Sequence, residues 1–207
     1  MVEPKGVILD LDGTLLDSEG WHKVVEAETL RRFGIETSPA ALERYTGLPY
    51  AAMIADLNDR HGTNMSTDSF LEAHRPGIVA CVRDKMRLFA DVAPFLASLE
   101  VPAALATNSM AWYCNAVSEK FPVMAKLSAR ACGGDVERGK PDPALFVLAA
   151  ERLGLSPVDC IAYEDSPAGV ASAKGAGCFT VGVIRGCGGG LDRADQVQTS
   201  LTFPPIA

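Results

Sequence analysis

No apolar run in this 207-residue chain reaches the ~18 residues that a membrane-crossing helix requires, so no membrane partner is expected. No basic stretch followed by an apolar segment and a cleavage site opens the chain, and a cytoplasmic protein is expected. The six cysteines, at 81, 114, 132, 160, 178 and 187, contain no Cys-x-x-Cys pair and do not cluster with the three histidines. A reduced intracellular protein is the simplest account of them, with Cys160 and Cys178 acting as small hydrophobes in apolar runs. A basic face is also missing. Lys and Arg number 19 against 26 Asp and Glu, a net charge of −7, so nucleic acid is not an expected partner. That charge does not exclude a small anionic substrate, because a local cation can reverse the field of one pocket. There is no internal repeat, no low-complexity tract beyond "RGCGGGLDRAD" at 185–195, and no long apolar heptad that would demand assembly. A monomer is expected, with the glycine run 188–190 as a loop.

What is present is an ordinary globular profile, 48 % hydrophobic and 22 % charged, in a chain long enough for one domain and an insertion. Short apolar runs at 6–10, 102–107, 160–163 and 178–184 read as fully buried strands. Helical patterns at 91–100, 109–121, 143–153 and 167–176 lie between them. This alternation predicts an α/β fold, a doubly wound, Rossmann-like parallel sheet covered on both faces. The segment 18–88 breaks the rhythm with helical spacing and no strand, and reads as a helical cap domain inserted into a core of 1–17 and 89–207. Pro76 is expected to kink or break the last cap helix. Asp17 and Ser18 are expected to cap the first.

The carboxyl ends of parallel strands are where ligands collect. "GVILDLDGTLLDSE" (6–19) carries Asp10, Asp12 and Asp17 straight out of the most apolar run, although like charges so close repel one another, the more so when buried. The second strand ends in Thr107-Asn108-Ser109, a later loop holds Lys140 in "RGKPDPALF", and "CIAY" ends in Glu164-Asp165. Asp10, Asp12, Glu164 and Asp165 offer hard oxygen ligands suited to Mg²⁺, which would relieve the repulsion. Thr107, the N–H groups that open its helix, and Lys140 make a cradle for a phosphoryl group. A carboxylate held there can attack phosphorus, and a second acid two residues on can serve the leaving oxygen and then water.

Taken in order, "DLDGTLLD", "LATNS", "GKPDP" and "YEDSPAGV" resemble the four motifs of the haloacid dehalogenase superfamily, over about 5–17 and 100–184. The segment 18–88 resembles that superfamily's small helical cap, as in the branch of sugar-phosphate phosphatases and β-phosphoglucomutase. The resemblance implies Asp10 as nucleophile and metal ligand. Asp12 would be general acid and base, with its main-chain carbonyl on the metal. Thr107 and Asn108 would hold phosphoryl oxygens, Lys140 would bridge the phosphoryl group and Asp10, and Glu164 with Asp165 would complete the Mg²⁺ shell. The second aspartate argues against the dehalogenases, which lack an acid there. A Mg²⁺-dependent phosphatase of a small soluble phosphomonoester is expected, with a phosphosugar mutase or a catalytically silent binding module as alternatives. Contacts to substrate from the cap are expected from His22, Thr46, Gly47 and Arg75, and the loop after Gly47 lacks the Lys or Arg that a mutase needs for a second phosphate. Departures from the pattern are Ala90-Asp91 where Pro-Gly is usual, a third-strand approach (124–140) poor in aromatics, and an unmatched tail after Gly186.

At Thr107 the alternative is a simple N-cap, and at Glu164 and Asp165 a role that merely favours a helix dipole; His61 is expected to be a solvated helix end. His74 and Arg75 either face the cleft or do not. Trp21, Trp112 and the methionines are core.

Overall fold

A computed structural model describes residues 4–46, 48, 50–185 and 189–203. Gly47 and Cys187 lie outside the described residues. The chain divides into two compact units, Met1–Asp17 with Arg87–Ala207, and Ser18–Met86.

The first unit is a six-stranded sheet. Its strands are β1 (Gly6–Leu9), β4 (Ala103–Ala106), β5 (Leu127–Ala131), β6 (Cys160–Glu164), β7 (Phe179–Val183) and β8 (Gln196–Gln198). They run in the order β5-β4-β1-β6-β7-β8, every neighbouring pair parallel. β2 (Leu16–Asp17) and β3 (Arg87–Leu88) form a separate antiparallel pair where the chain leaves and re-enters this unit. Helices α5 (Val92–Ser98), α6 (Ala111–Lys120), α7 (Ala144–Arg152) and α8 (Pro167–Ala176) connect the strands. β1 is central, and all four of its residues are buried because layers cover both faces of a parallel sheet. Ile8, Ala104 and Ala162 pack against Leu145, Phe146 and Ala149 of α7 in one apolar cluster.

The four expected strands are present, and two more lie beside them. β5 alternates half-buried and exposed positions up to Ala131, as an edge strand does, so no continuous apolar run announces it. β8 is Gln-Val-Gln in the tail. That tail is structural. The Tyr163 hydroxyl donates to Thr202 O (2.6 Å) and Leu201 N–H donates to Asp91 Oδ2 (2.7 Å). Asp91 also takes both Arg185 terminal nitrogens at 3.0 Å, while that guanidinium lies 4.2 Å from the Phe89 ring centroid. The acid standing where a Pro-Gly hinge is usual thus anchors β7's exit and the tail.

The second unit holds α1 (Glu19–Arg31), α2 (Pro39–Leu42), α3 (Tyr50–His61) and α4 (Thr67–Asp84), with their own core built on Leu30, Ile35, Leu57 and Phe70. α4 is capped by Ser66, whose Oγ accepts from Ser69 N–H (3.1 Å). Of the kink or break expected at Pro76, the break does not occur, and α4 runs through the proline. Phe70, His74, Ile78 and Val82 bury one face at four-residue spacing on both sides of the proline, and that packing outweighs one missing backbone bond. Asp17 is not a cap but pairs with Arg87 in β2–β3. Ser18 occupies the N-cap position of α1 without a side-chain capping bond. His74 is 3 % exposed, stacked on Phe70, so it belongs to this unit's core. His61 is exposed at the end of α3, while Trp21 and Trp112 are half-buried and Met110 is exposed rather than core. Among the described residues, no helix is long and apolar enough to cross a membrane.

Candidate active site

β1, β4 and β6 end side by side; the expected acids follow β1 and stand at the end of β6, and Thr107, Asn108 and Ser109 follow β4. Asp10 follows Leu9 directly, its N–H donating to Tyr163 O of β6 (3.1 Å). The chain then turns back on itself, with Leu15 and Leu16 N–H both donating to Leu11 O (2.9 Å). Gly13 has φ +81° in this turn, and a Cβ there would stand 2.1 Å from Asp165 Oδ2. Only glycine meets both demands. The next residue, Thr14, donates its hydroxyl to Asp165 Oδ1 (2.9 Å), tying the first loop to the last.

Lys140 is the hub. Its side chain is 4 % exposed, and Nζ donates to Asp10 Oδ1 (2.5 Å) and Glu164 Oε1 (2.6 Å), 5.1 Å from the Phe146 ring centroid. Glu164, fully buried, accepts at Oε2 from Ser166 N–H (3.1 Å) and Ser166 Oγ–H (3.0 Å). Burial pushes the Asp10 carboxyl well above the usual carboxylate range, Lys140 pulls it back, and the charges of Glu164 and Asp165 push it further up. Burial alone would lower the Lys140 ammonium, but Asp10 and Glu164 hold it above the ordinary lysine value. The lysine is therefore a fixed positive charge at neutral pH, and the ionised form of Asp10, which burial disfavours, gains by receiving a further cation.

Oxygens of Asp10, Glu164 and Asp165 lie within 4.8 Å of one another. Three carboxyl groups face a single ammonium, and this surplus of acid oxygens fits a hard divalent cation taking oxygen donors. A helix dipole alone does not account for Glu164 and Asp165, since both point into this cluster. The Asp12 carboxylate stands outside the trio. It accepts from Ser109 Oγ–H at Oδ2 (2.6 Å) and from Tyr113 O–H at Oδ1 (2.7 Å).

Thr107 follows β4 and is buried. Its N–H donates to Ala131 O and its Oγ1 accepts from Ser109 N–H (both 3.0 Å). It is not a helix cap, because α6 begins after Met110. Asn108 Oδ1 accepts from Lys140 N–H (2.8 Å), so its side chain sets the lysine loop. In the second unit, His22 is half-buried on α1, while Thr46 and Arg75 are exposed. Thr14, Ser109 and Ser166 each stand inside a quoted motif without having been assigned a role. Tyr113 had no signal beyond its place four residues after Ser109.

The family model described as haloacid dehalogenase-like hydrolase matches residues 7–183, and the chain belongs to that family. Among curated relatives, validoxylamine A 7'-phosphate phosphatase of Streptomyces hygroscopicus subsp. limoneus is 31 % identical over 189 residues, 86 % of this chain and 85 % of the relative. The β-phosphoglucomutase of Bacillus subtilis is 28 % identical over 201 residues, 88 % and 84 % of the two chains. The fold is that of CbbY from Rhodobacter sphaeroides, solved with phosphate, at TM-score 0.82, 23 % identity and coverage of 95 % and 94 %.

Proposed function

We propose that the chain is a cytoplasmic, Mg²⁺-dependent phosphatase that hydrolyses a small soluble sugar phosphate or related phosphomonoester through an aspartyl-phosphate on Asp10. The observation that carries this is the Lys140 bridge. One buried ammonium holds Asp10 and Glu164 at 2.5 and 2.6 Å, beside a third carboxylate, at the ends of the central strands. Relatives that act on validoxylamine 7'-phosphate and on fructose 1-phosphate support the substrate class. The described cysteines are free thiols, which agrees with a reducing compartment.

Asp10 Oδ2 attacks phosphorus while the bond to the ester oxygen breaks, and Asp12 gives that oxygen its proton. Water then attacks the phosphorus of the acyl phosphate, Asp12 takes the proton, and Asp10 is released with inorganic phosphate. Lys140, the Thr107 hydroxyl and Asn108 balance the phosphoryl charge throughout. Mg²⁺ would be held by Asp10, Glu164, Asp165 and the Asp12 main-chain carbonyl, and would supply charge neutralisation and orientation of the phosphoryl oxygens.

The test is phosphate release from a panel of phosphomonoesters with Mg²⁺ and with chelator. Release that needs Mg²⁺ supports the proposal, and silence across the panel favours a binding module. The relationship to β-phosphoglucomutase motivates one further arm, β-glucose 1-phosphate with a trace of the 1,6-bisphosphate. Glucose 6-phosphate forming faster than phosphate is released would replace hydrolysis with mutase action and give His22 a catalytic part.

A further inference from the structure

Resting on the reading of Asp12 as general acid, we propose that Tyr113 is a positioning residue that aims this carboxyl at the leaving oxygen. Tyr113 is 2 % exposed on α6, its hydroxyl 2.7 Å from Asp12 Oδ1. A buried phenol needs an acceptor, and any main-chain carbonyl would serve. Here the acceptor is the acid next to the phosphoryl loop. The other oxygen, Oδ2, lies 2.6 Å from Ser109 Oγ, and Ser109 is fixed to that loop by its N–H on Thr107 Oγ1 (3.0 Å). The two hydroxyls therefore define the two edges of one carboxyl. Tyr113 holds the Oδ1 edge from inside the core, which turns the Oδ2 edge toward Thr107–Ser109. A freely rotating carboxyl would spend much of its time elsewhere, and proton transfer demands a short, aligned approach.

The readout is the dependence on leaving group, which a merely structural role would not move. Phenyl phosphate and p-nitrophenyl phosphate are similar in shape, but phenoxide needs a proton as it leaves and p-nitrophenoxide needs little help. Losing one hydrogen bond to the acid should lower kcat/KM of Tyr113→Phe by about tenfold on phenyl phosphate, and by about twofold or less on p-nitrophenyl phosphate. Asp12→Asn, the reference, should show the same split and a larger loss. Ser109→Ala, at a half-buried loop position, should repeat the pattern and carries the test if Tyr113→Phe does not fold by circular dichroism. Equal losses of Tyr113→Phe on both esters, no loss, or a gain, with the split intact in Asp12→Asn, would overturn the proposal alone. An Asp12→Asn enzyme that loses equally on both esters would instead remove the reading of Asp12 on which the proposal rests.

Discussion

Gly169→Ala adds one methyl group and should dismantle the carboxylate trio. Gly169 lies in the first turn of α8, where a Cβ would stand 1.7 Å from Glu164 Oε1, 1.8 Å from Cδ and 2.1 Å from Oε2. Such an overlap is mild where a flexible side chain can swing into solvent. Glu164 cannot, being fully buried and pinned by Lys140 on one oxygen and by Ser166 on the other. The helix cannot retreat cheaply either, because Gly169 N–H donates to the Ser166 Oγ cap (3.0 Å). Glu164 must therefore leave Lys140. Breaking a buried ion pair from one side costs about 3 kcal/mol or more, which for a chain of this size lowers Tm on the order of 5–10 °C. The Mg²⁺ concentration for half-maximal phosphate release should rise at least about tenfold, each ~1.4 kcal/mol of lost site order being worth a factor of ten. Gly175→Ala, on the same helix, is the control. Its Cβ meets only Pro143, at 3.5 Å, so the better helix propensity of alanine should leave activity intact and add about 0.5–1 kcal/mol of stability. Differential scanning calorimetry and a Mg²⁺ titration of both variants decide the matter. If Gly169→Ala behaved like Gly175→Ala, the pinned position of Glu164 would be wrong.

Asp10→Asn removes the attacking charge at almost constant volume and should cut phosphate release by at least about a thousandfold. Its Tm should hold or rise, because burial and two neighbouring carboxylates already oppose the Asp10 charge. Turnover within tenfold of wild type would count against Asp10 as nucleophile. Replacing Mg²⁺ by Ca²⁺ should abolish turnover while still protecting against unfolding, since Ca²⁺ takes more ligands in looser geometry; equal rates with either ion would contradict a tight carboxylate site. Burial first, then the charges of His22 and Lys23, depress His74 to about 4 from 6.5. The folded protein thus keeps this ring neutral, and stability is lost as pH falls from about 6.5 to about 4, by about 3 kcal/mol in all. Urea unfolding of wild type and His74→Gln across that range should diverge by this amount, and parallel curves would refute it.

The site was legible because its acids are out of place in the sequence. Asp10 and Asp12 leave a run of Val-Ile-Leu that can only be a buried strand, and Glu164 with Asp165 leaves another. Lys140 has no such marker in its surroundings, and its place in the pattern came from resemblance; the bridge between Asp10 and Glu164 is a tertiary fact. Strands buried on both faces, β1, β4, β6 and β7, read as apolar runs. β5 hides because only one of its faces is covered, and β8 because a three-residue polar strand on the sheet's edge has no periodicity to detect. For Thr107 the alternative of a simple N-cap falls away because α6 starts only after Met110, although its hydroxyl does accept from a nearby N–H. Pro76 does not end α4, local backbone preference yielding to a buried helix face. Tyr113 was invisible, because its bond to Asp12 exists only once α6 has docked beside the first loop.

The most direct test of an aspartyl-phosphate on Asp10 is to trap it. The enzyme is mixed with Mg²⁺ and p-nitrophenyl phosphate, quenched in acid during turnover, reduced with borohydride and mapped by peptide mass spectrometry. Reduction of an acyl phosphate leaves an alcohol, so the peptide spanning "GVILDLDGTLLDSE" should carry homoserine in place of Asp10, and the Asp10→Asn protein should carry none. Steady turnover with an unmodified Asp10, or with the alcohol at Asp12 or Asp165 instead, would contradict it.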